Sequence, residues 1–249
     1  MRTVGRLGWV EIKLLLREPL TLVFSLALPL ILLFVLGSVF GNTPSARGQK
    51  LVYRGVGARD YYLPAYVALV IASVCVISVP AQLAGYRERG VLKHYRASSV
   101  SAPVIGGAEL MVAVALSAVS ATILGVAAAM AYSFERPESV FAVVRTFLYL
   151  SVGFVAFGLL LGALLPTARS AQAGGMLIWF VMLFLGGAGP PPEVLSGPMH
   201  VVLDLTPMWY AVQMMQSAWL GLDPGWSWWV FTGVAVASAG LALRLFRWE

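Results

Sequence analysis

Long apolar runs alternate with short polar segments along almost the whole chain. The runs cover residues 20–41, 61–83, 104–134, 140–165, 171–187 and 226–243. At about 1.5 Å of rise per residue, a helix of roughly 20 residues crosses the ~30 Å hydrocarbon core of a bilayer. The pattern therefore predicts an all-α integral membrane protein with six transmembrane helices in a single domain. The third run is longer than a bilayer needs and is predicted to tilt or project. The first carries Pro29 near its middle and the second carries Pro64 and Pro80, where kinks are expected. Residues 1–18 show a different period. Arg2, Arg6, Lys13 and Arg17 fall on one side of a helix, with Val4, Leu7, Leu14 and Leu15 on the other, the pattern of a helix lying on an anionic membrane surface. Residues 190–222 are apolar in character but broken by Pro198 and Pro207 and by Glu193, His200 and Asp204. Two short helices, 193–205 and 208–220, that enter the membrane part-way and return fit this segment better than one span.

Composition supports the membrane reading. Hydrophobic residues make up 59% of the 249, against 11% charged, where a soluble domain has roughly a quarter charged. The net charge of +6 lies in loops and termini, which points to topology and lipid attraction and not to nucleic acid. Placing both termini inside puts Arg2, Arg6, Lys13, Arg17, Arg87, Arg89, Lys93, Arg96, Arg169, Arg244 and Arg247 on the cytoplasmic side. It leaves Arg47, Lys50, Arg54, Arg59 and Arg136 outside, so the loop 42–59 runs against a bias that still favours this orientation.

The densest basic segment is the loop 86–103, with Arg87, Arg89, Lys93, His94 and Arg96 against the single acid Glu88. Gly90 permits a tight turn, residues 91–97 read as about two helical turns with Val91, Leu92 and Tyr95 among the basics, and Pro103 closes the segment. A short amphipathic helix on a membrane face is a docking element for a soluble partner. A plain topology anchor would carry the same charges.

The string E-R-G-x-L-K-x-x-R-A-S at 88–98, followed by a small-residue turn and Pro103, resembles the coupling helix of ABC type 2 exporter permeases. Other features resemble that family in order. They are the amphipathic helix 1–18 before the first span (the elbow helix, with Arg6, Glu11, Lys13 and Arg17), the D-Y-Y-L-P-A step at 60–65, the broken segment 190–222 with its Pro-aromatic step at 207–210, and the basic C-terminal anchor. The family usually has Gly where this chain has Ala65, and Tyr61, Tyr62 and Tyr66 also suit an ordinary interfacial tyrosine belt. The resemblance implies that Arg87, Glu88, Arg89, Gly90, Leu92, Lys93 and Arg96 meet an ATP-binding-cassette ATPase, and that ATP and Mg are bound by that partner. It also implies a second permease subunit, identical or similar, and a multi-pass location in the inner membrane of a prokaryote.

The chain itself has no G-x-x-x-x-G-K-[ST] loop for nucleotide phosphates. His94 and His200 are predicted on opposite faces and Cys75 lies within a span, so no metal or catalytic cluster is expected. The first, second and fifth spans lack internal charge and carry Phe24, Phe34, Trp179, Phe180 and Phe184, a lining suited to a lipophilic or amphipathic solute such as a drug, antibiotic or lipid-like molecule. Gly174-Gly175 and Gly186-Gly187 bracket the fifth span and would permit close approach at its ends, with the first and fifth spans meeting their counterparts across a dimer axis. Glu109 and Arg145 sit in opposite leaflets and are expected to snorkel or make separate local contacts. Gly158 and Gly162 form a G-x-x-x-G packing pair. Export of a lipid-linked glycan is the alternative cargo. An integral membrane enzyme using Glu109 or His200 and Asp204, or a channel lined by Glu109 and Arg145, are the alternative classes.

Overall fold

The computed structural model describes residues 23–40, 46–47, 50–51, 53, 56–99, 101–132 and 136–246. The elbow segment, with Arg6, Glu11, Lys13 and Arg17, lies outside these. Six helices are long and apolar enough to cross a membrane. We label the helices in chain order: α1 (Val23–Phe40), α2 (Ala58–Glu88), the short α3 (Val91–Ala97), α4 (Ala102–Ala131), α5 (Val140–Leu164), α6 (Ala168–Leu185), the two short helices α7 (Gly197–Leu205) and α8 (Pro207–Leu220), and α9 (Ser227–Leu245). Between α1 and α2 the two-residue strands Ala46–Arg47 and Lys50–Leu51 pair antiparallel.

Helix α2 is the axis of the molecule. Almost its entire apolar stretch is buried, whereas α1, α6 and α9 bury only a stripe each. The other spans pack around α2, and α9 lies outside, mainly against α5. The reason is compositional. Its middle is small and β-branched (Ala65, Ala68, Ala72, Val70, Val74, Val76), so neighbours approach from every side, and each of these residues is buried.

The closest approaches occur where α2 widens. Val74–Ser78 forms one π-helical turn, in which the Val79 N–H reaches the Val74 carbonyl. Pro80 follows. Having no N–H, it cannot bond the Val76 carbonyl four residues back, and a wider turn relieves the clash its ring would make there. The carbonyls of Cys75 and Val76 therefore press outward against two neighbours. A Cβ on Gly158 of α5 would lie 2.0 Å from the Cys75 oxygen, and one on Gly175 of α6 would lie 2.2 Å from the Val76 oxygen. Gly162 completes the contact one turn on, where a Cβ would meet Leu83 and the Cα of Pro80 at 3.0–3.1 Å. The G-x-x-x-G pair of α5 is thus a seat for the α2 bulge. Helix α1 repeats the device: Val23–Ala27 is π-helical and Pro29 follows it, at the start of the described helix.

The glycines that bracket α6 serve contacts within this chain. Besides Gly175 on α2, a Cβ on Gly186 would collide with Met208, and one on Gly187 with Trp209, both on α8. The faces of Gly175, Gly186 and Gly187 are thus taken up by packing within the chain. Helices α7 and α8 occupy nearly the bounds expected for the broken segment. Helix α8 buries Met208, Ala211, Val212, Met215 and Gln216 against the bundle, and Gln216 Nε2 donates to the Tyr61 carbonyl at 3.1 Å. Glu109 is buried (1% exposed) on α4, so its carboxyl is held inside the bundle and not led to the surface.

Candidate functional site

One end of the bundle carries α3, and the turn into it begins with Gly90 at φ +70°, a left-handed conformation that favours glycine. Leu92 is buried (1% exposed) in a small cluster with Leu83 and Tyr86 of α2 and Ile105 of α4. The Tyr86 and Tyr95 rings meet edge to face at 6.3 Å. Burying one Leu side chain is worth about 1.5–3 kcal/mol, which seats so short a helix where its own hydrogen bonds would not. The helix is in effect a rigid continuation of α2.

The two residues before the turn point back into the bundle. The Arg87 guanidinium donates to the carbonyls of Gly162, Ala163 and Leu165, the exposed acceptors at the end of α5. The Glu88 carboxylate accepts from the Ala168 N–H, the first of α6. A cation at a helix C-terminus and an anion at the next N-terminus are each favoured by the helix dipoles, so together they clasp the α5–α6 turn. Thr167 and Ser170 close that turn with a capping box. Sequence spacing had grouped Arg87 and Glu88 with the outward-facing basics. Nothing local in the sequence shows that their partners lie more than 70 residues away. Arg89 folds back on the Gly85 carbonyl at 3.1 Å. Lys93, His94 and Arg96 are exposed on α3, and His94 Nδ1 hydrogen-bonds the Gly90 carbonyl at 3.1 Å.

The far end holds an apolar cavity of about 380 Å³ between α1, α2 and α6, lined by Leu32, Leu36, Tyr62, Tyr66, Leu183 and Phe184 among others. Tyr61, Tyr62 and Tyr66 are buried to 2% exposure or less, so they are not a lipid-facing belt. Tyr61 Oη donates to the Gly187 carbonyl at 3.0 Å and Tyr62 Oη to the Gly189 carbonyl at 2.9 Å, tying α2 to the loop after α6. Burial holds the Tyr53 phenol above its ordinary pKa, with its hydrogen bond to Tyr62 acting against the rise and the nearby Glu193 charge adding to it. Among the described residues the buried Tyr66 hydroxyl has no hydrogen-bond partner, and Tyr66 lines the same cavity.

The aromatics predicted for a pathway divide. Phe24 and Trp179 are buried and meet edge to face at 5.0 Å, which joins α1 to α6 inside one chain. Phe34 is half-buried against Tyr132, 5.7 Å away. Phe180 and Phe184 are exposed, on one stripe of α6 with Leu177 and Val181, and α1 exposes a matching stripe of Ile31, Val35 and Val39. Sequence reading missed the tyrosine lining. Its signal was the spacing of Tyr62 and Tyr66, which places both on one helix face.

Among the described residues no group of three or more His, Cys, Asp or Glu side chains could hold a metal ion. No curated protein matches the chain. The family model described as ABC-2 type transporter matches residues 3–220. That match spans α1 to α8 and the loop carrying α3. Members are the membrane component of transporters that normally work with an ATP-binding cassette subunit, and are not themselves catalytic. By this match, and by its six apolar spans, the chain is a multi-pass membrane protein that belongs to the ABC-2 type transporter family.

Proposed function

We propose that this chain is the permease of an ATP-driven exporter, with α3 as the element that receives the motion of a separate ATPase subunit. The observation that carries the reading is the way α3 is mounted. Leu92 fixes it to the end of the most buried helix, and Arg87 and Glu88 couple the same point to α5 and α6. A force on Lys93, His94 and Arg96 would pass to three spans at once, through packed contacts with discrete arrangements. Such an end faces the cytoplasm, where ATP is, and both termini lie on that side.

The cavity between α1, α2 and α6 is the reading's substrate region. It is apolar, opens beside the exposed stripes of α1 and α6, and offers the Tyr66 hydroxyl, unpartnered among the described residues, as a polar handle. That lining suits a lipophilic or amphipathic solute. A second permease copy laid against the α1 and α6 stripes would complete the walls, with two ATPase subunits below. ATP and Mg belong to those subunits, and ATP shifts the permease only through its different affinity for the two states.

The test is the double variant Lys93→Glu, Arg96→Glu, expressed with the ATP-binding-cassette subunit that supports export by the parent. Co-purification of the ATPase and ATP-dependent export should both fall sharply while membrane insertion is unchanged. Parental export by this variant would remove α3 from the coupling path.

A further inference from the structure

A polar cleft of about 460 Å³ opens at the far end between the start of α5, the end of α8 and the start of α9. It plays no part in the reading above. Arg145 lines it from α5, Glu138 from the loop before α5, and Asp223 from the loop after α8. We propose that this cleft binds the headgroup of a zwitterionic phospholipid, with the phosphate on Arg145 and the ammonium on Glu138 and Asp223. The proposal requires that α5 and α9 cross a membrane. It does not depend on export or on the ATPase.

The charges are arranged for a bridging ligand. Among the described residues neither Arg145 nor Glu138 forms an ion pair, although both face the same space. The guanidinium lies over the Trp228 ring at 5.5 Å, a contact that orients it and leaves its donors open. The Glu138 main chain is fixed by its N–H, which donates to the Trp219 carbonyl at 2.9 Å, and its carboxylate oxygen sits where a Cβ on Gly221 would project. Gly221 has φ +68°, so backbone conformation and carboxylate both favour glycine there. Asp223 Oδ1 accepts from the Gly225 N–H at 2.9 Å, which fixes its direction. Two further groups in the lining are unsatisfied. Among the described residues the hydroxyls of Thr146 (0% exposed) and Ser217 (2% exposed) have no hydrogen-bond partner, a costly state for buried polar groups.

Position and sign select the ligand. Arg145 lies five residues into α5, about 7–8 Å along its axis, and Trp226, Trp228 and Trp229 mark the same end of α9 as the membrane–water interface. Phe141, Val144 and Leu148 are exposed on α5 beside the cleft, where acyl chains would lie. An anionic headgroup would meet two carboxylates with one cation to hold it. A headgroup with an added ammonium answers all three.

Native mass spectrometry of the full-length chain in mild detergent, titrated with phosphatidylethanolamine and phosphatidylglycerol of matched chains, tests this. The wild type should retain the ethanolamine lipid about tenfold better, as expected when charge-assisted hydrogen bonds differ. Arg145→Gln should abolish that retention. Glu138→Gln with Asp223→Asn, both in loops and isosteric with the residues they replace, should bring the two lipids to parity. Equal retention by the wild type, or an unchanged preference in the monodisperse double variant, would overturn the proposal. Displacement by soluble glycerophosphoethanolamine as effective as that by the lipid would overturn the assignment to a lipid.

Discussion

Replacing Gly175 by Ala should destabilise the protein through its backbone contact with α2. The added methyl would lie 2.2 Å from the Val76 oxygen and 3.1 Å from the Ile77 Cα. Both are main-chain atoms in the most buried helix, so no side chain can swing aside. Because main chain must move, overpacking here falls in the upper part of the usual range, about 2–3 kcal/mol, and Ala in place of Gly in a helix returns about 1 kcal/mol. A net loss of about 1–2 kcal/mol follows, or about 2–8 °C in the midpoint of thermal unfolding for a chain of this size. The assay is loss of the monodisperse peak on heating in detergent. Gly240→Ala, on α9 with nothing within 4 Å of its Cβ, is the control and should be neutral or stabilising. Pro80 supplies a second arm. If the missing N–H of Pro80 is what displaces the Val76 carbonyl, Pro80→Ala lets α2 draw that carbonyl back. The cost of Gly175→Ala should then shrink in the Pro80→Ala background by about 0.5 kcal/mol or more, a coupling expected only of contacting sites. A midpoint for Gly175→Ala equal to or above the wild type would refute the packing account. Strict additivity of the two substitutions would refute the role of Pro80.

Leu92→Ala should loosen α3 by about 2–5 kcal/mol of local packing. It should lower ATP-dependent export while the assembled complex still hydrolyses ATP, and tight coupling in this variant would show that α3 needs no anchor. Trp179→Ala should cost about 3–5 kcal/mol and be read as a lowered melting midpoint, because the ring is fully buried, whereas Phe184→Ala should leave the midpoint within a degree or two and change which solutes stimulate ATPase activity. Tyr61→Phe and Tyr62→Phe should each lose about 0.5–1.5 kcal/mol from the bond to the loop after α6, seen as faster hydrogen exchange at Gly187 and Gly189.

What the chain determined by itself is the part of the architecture carried by local composition. Six apolar runs must become six membrane helices, because the bilayer leaves no other way to satisfy the backbone. Pro198 and Pro207 break the seventh apolar stretch, and α7 and α8 are the two pieces. Gly90 and the apolar residues after it specify the short helix α3, whose amphipathic period is complete within two turns. Each of these needs only neighbours in sequence. The tertiary structure decided everything that depends on which helix lies beside which. It made α2 the axis, and it turned Arg87 and Glu88 away from the basic face to clasp a turn distant in sequence. It spent Gly175, Gly186 and Gly187 on contacts within the chain. The same choice divided the aromatics, burying Trp179 and leaving Phe184 beside the cavity, although both sit in one apolar run. A hydrophobic span carries little directional signal, because lipid and protein are equally apolar surroundings for its side chains. Only the packing of small residues and displaced carbonyls against one another says which face turns inward.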